Sequence, residues 1–137
     1  MTYLLDTGFL YALLNRTERA HSAVREATAR IDAAVFLPSP VIVEVAYLIQ
    51  RDLGAGPLAD FVSGLSEPPY TLLEPTPVDY QRASEVIRQY RDAQIDLVDA
   101  LIVSVAERLN IQRVLTLDQR HFRLFRPLHC DALELIP

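Results

Sequence analysis

The sequence predicts an α/β fold: a three-layer α/β/α sandwich with a central parallel sheet and helices on both faces. Three observations lead there. Short apolar runs at residues 2–6, 34–37, 70–73 and 113–117 alternate with longer helical patterns. Those runs are apolar at consecutive positions, as in strands covered on both faces. Pro and Gly fall at the boundaries between segments, with no repeat, low-complexity tract or interdomain linker.

Each element has its own justification. Residues 2–6 read as a short buried strand, and residues 7–15 as a short helix carrying Phe9, Leu10, Leu13 and Leu14. Thr17 is expected to cap a second helix reaching about Arg30, with alanines and Val24 on one side. A second strand at 34–37 precedes Ser39-Pro40, a cap followed by proline at the first helical position. That helix is expected to run to Leu53 and stop at Gly54, followed by a short helix over 57–65. Residues 70–73 form a third strand. Thr76-Pro77 repeats the cap-plus-proline start for a helix to about Arg91, and a further helix spans 97–110. A fourth strand at 113–117, a short helix at 118–124 and a fifth strand at 132–136 complete the order.

At 137 residues the chain is expected to be a single domain, 1–137, long enough to bury roughly two-thirds of its unfolded surface. The single cysteine, Cys130, permits no internal disulfide and suits a reducing compartment. The first residues enter a strand-like segment without a basic leader, so no signal peptide is expected. No apolar run approaches the roughly 20 residues of a membrane span, and a cytoplasmic location is expected.

Asp and Glu number 18 against 13 basic residues, a net charge of −5, and every base is arginine. That balance argues against a nonspecific nucleic-acid coat, whose affinity comes from broad phosphate neutralisation. It leaves room for a nuclease whose metal supplies local positive charge.

Four acids stand where their surroundings give little reason for charge. Asp6 ends T-Y-L-L, Glu44 interrupts V-I-V-E-V-A-Y-L-I, Asp99 opens D-A-L-I-V-S-V-A, and Asp118 follows R-V-L-T-L. An isolated buried carboxylate costs several kcal/mol, so it protonates or acquires a positive partner. Asp6 and Asp118 fall at the carboxyl ends of strands, where parallel sheets build their sites. Each also suits a helix cap, as does Asp96 with Asp99 in the third position after it. Glu44 lies on a helix apolar on nearly every side, which suggests burial all round. Asp99 in a first turn faces the positive end of the helix dipole. Thr7 and Thr116 stand close enough in sequence to add hydroxyls. Together, four acids at sheet-end positions repel unless protonated or bridged by a cation. Oxygen ligands select hard ions, so Mg²⁺ or Mn²⁺ is expected, as one ion or two.

Histidine and cysteine suggest no rival chemistry: His21 sits in a polar helix, His129-Cys130 are adjacent near the C-terminus, and His121 precedes Phe122, which is expected to pack in the core. Arg16, Arg19, Arg120 and Arg123 are candidates for phosphate contacts, with a solvated surface role equally open.

Four pieces in order resemble the PIN-domain family of metal-dependent ribonucleases: L-L-D-T-G-F-L-Y-A-L-L at 4–14, S-P-V-I-V-E-V-A-Y at 39–47, D-L-V-D-A-L-I-V-S-V-A at 96–106 and V-L-T-L-D-Q-R-H-F at 114–122. The compact form looks like a VapC-type toxin, the ribonuclease half of a bacterial toxin–antitoxin pair. The resemblance implies a metal site of Asp6, Glu44, Asp99 and Asp118, with Asp96 at a variable position. It also implies an RNA substrate, a cognate antitoxin and a homodimer, with the helices of 39–65 as the partner face. The absence of lysine departs from what a nucleic-acid enzyme usually shows. Two other readings stand beside it: another metal-dependent phosphohydrolase, although Asp6 is followed by Thr7-Gly8 rather than a D-x-D motif, and a noncatalytic interaction module whose acids serve caps and salt bridges.

Overall fold

A computed structural model describes residues 2–137. The elements run β1 (Thr2–Leu5), α1 (Thr7–Leu14), α2 (His21–Ala29), β2 (Ala34–Pro38), α3 (Ser39–Leu53), α4 (Ala55–Gly64), β3 (Tyr70–Leu73), α5 (Pro77–Gln89), α6 (Leu97–Leu109), β4 (Arg113–Leu115), α7 (Gln119–Phe122) and β5 (Glu134–Ile136). One 3-10 turn, Arg91–Ala93, joins α5 to α6.

All strand pairs are parallel, in the order β3-β2-β1-β4-β5. The chain lays β2 and β3 outward on one side of β1. It then crosses over to place β4 and β5 on the other. The order reverses between β1 and β4, and in such sheets the two connections leave the reversal point in opposite directions, opening a crevice at the carboxyl ends. Leu5 pairs with Leu115 at those ends, so Asp6 and Thr116 emerge side by side. Helices cover both faces, giving the three-layer α/β/α sandwich.

Burial follows this layering. The central strand β1 buries Tyr3, Leu4 and Leu5, whereas the edge strand β3 exposes Thr71 and Leu72. On one face Leu5, Val35 and Leu115 enclose a cavity of about 170 Å³ with Phe9 and Leu13 of α1. Helix α6 is buried throughout residues 98–106, so its length is set by packing rather than by propensity. Asn110 ends it in the left-handed conformation at φ 54°, with the Ile111 N–H donating to the Ala106 carbonyl at 2.9 Å. Gly54 ends α3 at φ 93°, a backbone state that L side chains rarely adopt.

Three expectations need adjustment. The second helix starts at His21, not Thr17, because Asn15 Oδ1 accepts both the Thr17 N–H (3.0 Å) and its hydroxyl (2.7 Å) in a tight turn. Ser39 lies inside the first turn of α3, and Pro38 occupies the cap position. Most consequentially, α3 is not buried all round. It buries only Val41, Val45 and Ile49, a single stripe four residues apart, while Val43 is 70% exposed and Tyr47 63%. Val62 of α4 is exposed as well.

Two ion pairs clip α5 to α6. Arg82 holds Glu107 at 2.7 Å, and Arg108 holds the buried Asp79 through two bonds of 2.8 and 2.9 Å. Burial pushes the Asp79 carboxyl up, but bonds from Arg108 and the Thr76 N–H outweigh it and hold it below the usual carboxylate range. Removing the guanidinium leaves a buried charge uncompensated. Arg108→Ala is therefore expected to lower unfolding stability by about 2–3 kcal/mol in denaturant titrations at neutral pH. The deficit should shrink on acidification, as the orphaned Asp79 takes up a proton.

Candidate metal centre

Three helices begin around the crevice, each with an aspartate at its N-cap. Asp6 Oδ1 accepts the Thr7 N–H of α1 at 2.8 Å. Asp96 Oδ1 accepts the Asp99 N–H of α6 at 2.9 Å. Asp118 Oδ1 accepts the His121 N–H of α7 at 3.2 Å. The capping roles expected from sequence are present. They engage one oxygen of each carboxylate and leave the other available to a second partner.

Two of the second oxygens, those of Asp6 and Asp118, are held by a short network. Thr116 is fully buried, and its hydroxyl donates to Asp6 Oδ2 at 2.8 Å while accepting the Asp118 N–H at 2.9 Å. This one side chain ties the ends of β1 and β4 together. Asp118 Oδ2 lies 2.9 Å from His121 Nδ1, where the ring N–H donates to the carboxylate; the same nitrogen is 3.5 Å from Asp99 Oδ2. Glu44 enters from α3, and the Thr7 hydroxyl donates to its Oε1 at 2.6 Å.

Asp6, Thr7, Glu44, Asp96, Asp99 and Asp118 line one open cleft of about 420 Å³. The sequence-predicted acids thus come to one place from four separate stretches of chain. Asp6 and Asp99 are each only 5% exposed, and Glu44 is half-buried at the cleft's rim. Among the described residues none of these five carboxylates is paired with an arginine; the arginine pairs go to Asp52, Asp79, Glu85, Glu107 and Glu134.

Charge held this way is costly, and the acids respond. Burial, with repulsion from Asp118 and Asp96, raises the Asp6 carboxyl to about 6 against lowering bonds from Thr116 and Thr7. Burial and then repulsion from Asp96, Asp6 and Asp118 raise Asp99 to about 8. The N-terminal dipoles of α1 and α6 relieve part of the repulsion but do not cancel it. A divalent cation is the group that fits: it supplies the missing positive charge to an almost all-oxygen donor set. Asp99, Asp118 and His121 each bring a ligand atom within 4.8 Å of the others, the spacing of groups able to share one ion.

His121 was not among the expected site residues. Its neighbour Phe122 is buried, and in a short helix the third position after an aspartate cap turns back towards that cap; D-Q-R-H carried this signal. Arg16 and Arg19 lie beyond the far end of α1, which leads away from the crevice for eight residues, about 12 Å. Among the described residues no arginine lines the cleft.

The chain belongs to the PIN domain family, whose pattern residues 3–126 match. Among individual relatives, it is 28% identical over 134 residues to ribonuclease VapC26 of Mycobacterium tuberculosis, covering 98% of this chain and 99% of the relative. The M. tuberculosis toxin VapC20, described as cleaving the sarcin-ricin loop, has the same fold. Its TM-score is 0.77 at 20% identity, over 82% of this chain and 86% of that one. A chain of Rickettsia felis VapBC2, crystallised with a DNA fragment from its promoter, matches at TM-score 0.70 and 19% identity, over 98% and 97% of the two chains.

Asp6 and Asp99 bind protons more tightly in the fold than in the unfolded chain, where a carboxylate titrates near 3.8. Their stabilising proton uptake is complete below the unfolded value and lost as pH rises through about 6 and then about 8. Metal-stripped protein should therefore melt several degrees lower at about pH 8 than at about pH 5. Asp99→Asn should flatten that slope, and added Mn²⁺ should raise the melting temperature more at the higher pH.

Proposed function

We propose that residues 1–137 act as one PIN-like nuclease unit: a divalent-metal-dependent endoribonuclease, the toxin of a type II toxin–antitoxin pair. The observation that carries this reading is the set of buried and half-buried carboxylates, without arginine partners, at the β1/β4 crevice. The family, and the ribonuclease named among its relatives, supply the reaction class.

In this reading Asp6 and Asp99 are the central ligands for Mg²⁺ or Mn²⁺, with Asp118 and Glu44 completing the site. A bound ion of this kind offers Lewis acidity towards water and phosphate oxygens, favouring hydrolysis of a phosphodiester. The protein's own residues hold the ligands still. Thr116 fixes the orientation of Asp6 and the backbone of Asp118 together. Thr7 holds Glu44 over the cleft, and His121 steadies Asp118. Asp96 caps α6 and so sets the position of Asp99.

The partner assignments follow the same reading. The exposed Val43 and Tyr47 of α3 with Val62 of α4 form the face for a second copy and an antitoxin segment. A structure from Klebsiella pneumoniae described as a toxin–antitoxin complex, similar in fold at TM-score 0.69 and 17% identity over 90% of this chain and 92% of that one, supports such a partner. No helix among the described residues is long and apolar enough to cross a membrane, and we place the enzyme in the cytoplasm.

Purified protein incubated with structured RNA should cleave it with Mg²⁺ or Mn²⁺ and stop with EDTA. Asp6→Asn and Asp99→Asn should each reduce the rate at least about a hundredfold, a loss of about 3 kcal/mol of transition-state stabilisation. Cleavage that survives EDTA or both substitutions would overturn the metal mechanism. Hydrolysis of nucleotide monophosphates with RNA left intact would replace it with a phosphatase.

A further inference from the structure

An acidic cleft repels the polyanion it is proposed to cut, and among the described residues no arginine stands in it to offset that. The grip on substrate must come from elsewhere on the surface. Four arginines engage carboxylates: Arg51, Arg82, Arg108 and Arg113. Of the remainder, Arg120, Arg123 and Arg126 fall in one short stretch directly behind Asp118.

Two of these three line a second groove. It has a volume of about 370 Å³ and is bounded by Gln119, Arg123, Arg126, Leu133, Leu135 and Pro137. Gln119 and Pro137 mark its upper end, joined by a 2.8 Å bond from Gln119 Nε2 to the Pro137 carbonyl. Because the strands are parallel, that end is the carboxyl end of the sheet, where the acids also sit. Leu133 precedes β5, so the groove runs from beside the cleft along the β5 edge.

The arginines are set in place without being neutralised. The Arg123 guanidinium donates to Gln119 Oε1 at 2.7 Å, and Arg126 donates to the Arg123 and Phe125 carbonyls at 2.8 and 2.9 Å. All of these acceptors are uncharged. The Arg126 backbone is pinned too, its N–H bonded to the Tyr90 hydroxyl at 2.9 Å. Glu134, the acid on the adjoining strand, is engaged by Arg113 at 3.0 Å.

We propose that this groove holds the backbone of a single-stranded stretch of RNA, with Arg123 and Arg126 on its phosphates, while the bond to be cut lies in the acidic cleft. Arginine is the side chain best shaped for phosphate, and it is the only base this chain uses. The groove is lined mainly by polar groups, which suits the sugar-phosphate backbone, and the half-buried Leu135 adds a small apolar surface on which a base of an unpaired strand can rest. Arg123 follows Asp118 by five residues of helix and cap, about 7.5 Å along the axis, so one strand spans both places. The proposal rests on the nuclease reading above.

The test is steady-state cleavage and fluorescence-anisotropy binding with a labelled single-stranded RNA of random sequence, in wild type and in Arg123→Ala/Arg126→Ala. The double variant should raise KM about tenfold with kcat nearly unchanged. Its binding should lose about 0.7 from the salt-dependence slope for each arginine removed. Arg16→Ala/Arg19→Ala, at the far end of α1, should match wild type in both. If the double variant fails to fold, Arg123→Glu alone carries the test, since that side chain is exposed and bonded only to Gln119. Wild-type cleavage with KM and salt slope unchanged in the variants overturns the groove as an RNA site and leaves it to another partner, such as an acidic protein segment. A wild-type protein that neither binds nor cleaves RNA overturns the nuclease reading and the groove with it.

Discussion

The structure turns on electrostatic crowding at one point of the sheet. Asp6 and Asp118 are delivered by β1 and β4, and Asp96 and Asp99 by the start of α6, all in the crevice where the strand order reverses. Any parallel sheet with this order has such a crevice; what is particular here is that it is filled with carboxylates and kept free of arginine. The protein gives up stability there, because burial first, and then repulsion from neighbouring carboxylates, push Asp6 and Asp99 towards neutrality. A cation that binds only the folded, ionised arrangement returns that stability by mass action. Such binding would couple the metal to the fold's integrity through the same oxygens.

Capping and clustering are not alternatives at this site. An N-cap aspartate needs one carboxylate oxygen for the helix, which leaves the other free for a second partner. Asp6 and Asp118 use this division, with Oδ1 on a backbone N–H and Oδ2 on Thr116 or His121. Fixing the first oxygen restricts the carboxylate's rotation, so each cap also preorganises a candidate ligand. Thr116 extends the effect between strands, because one buried hydroxyl sets both Asp6 and the Asp118 backbone.

The order and type of the elements were legible in the sequence because local signals agreed with packing: proline near helix starts, Gly54 at a helix end, and short apolar runs for buried strands. Four acids in apolar surroundings were legible as a cluster for the same reason, since burial without a partner is improbable. Helix α3 was misread because its apolar residues surround the axis, a pattern shared by a buried helix and by one that keeps a face for another molecule. Only its neighbours decide, and they cover Val45 while leaving Val43 and Tyr47 open. The start of α2 was misplaced because Thr17 had a competing local acceptor in Asn15, which composition cannot rank. The turn of His121 back to Asp118 was legible in D-Q-R-H and overlooked beside the apolar Phe122, whereas its 3.5 Å approach to Asp99 is a tertiary fact.

Charge segregation over the surface follows from the same constraint. A cleft able to concentrate cations concentrates negative potential when empty, and a phosphate chain meets that field before it meets any ion. An arginine inside the cleft would ease the approach of RNA, but it would also neutralise the carboxylates and compete with the metal. Arg123 and Arg126, one short helix away, would satisfy both demands in the proposed reading. Their hydrogen bonds to uncharged carbonyl and amide oxygens hold the guanidinium groups in position and leave their charge unspent. With the proposed groove, the net negative charge of the chain is compatible with an RNA substrate. What matters is that the acids are concentrated at the strand ends while unpaired arginines lie along the adjoining edge.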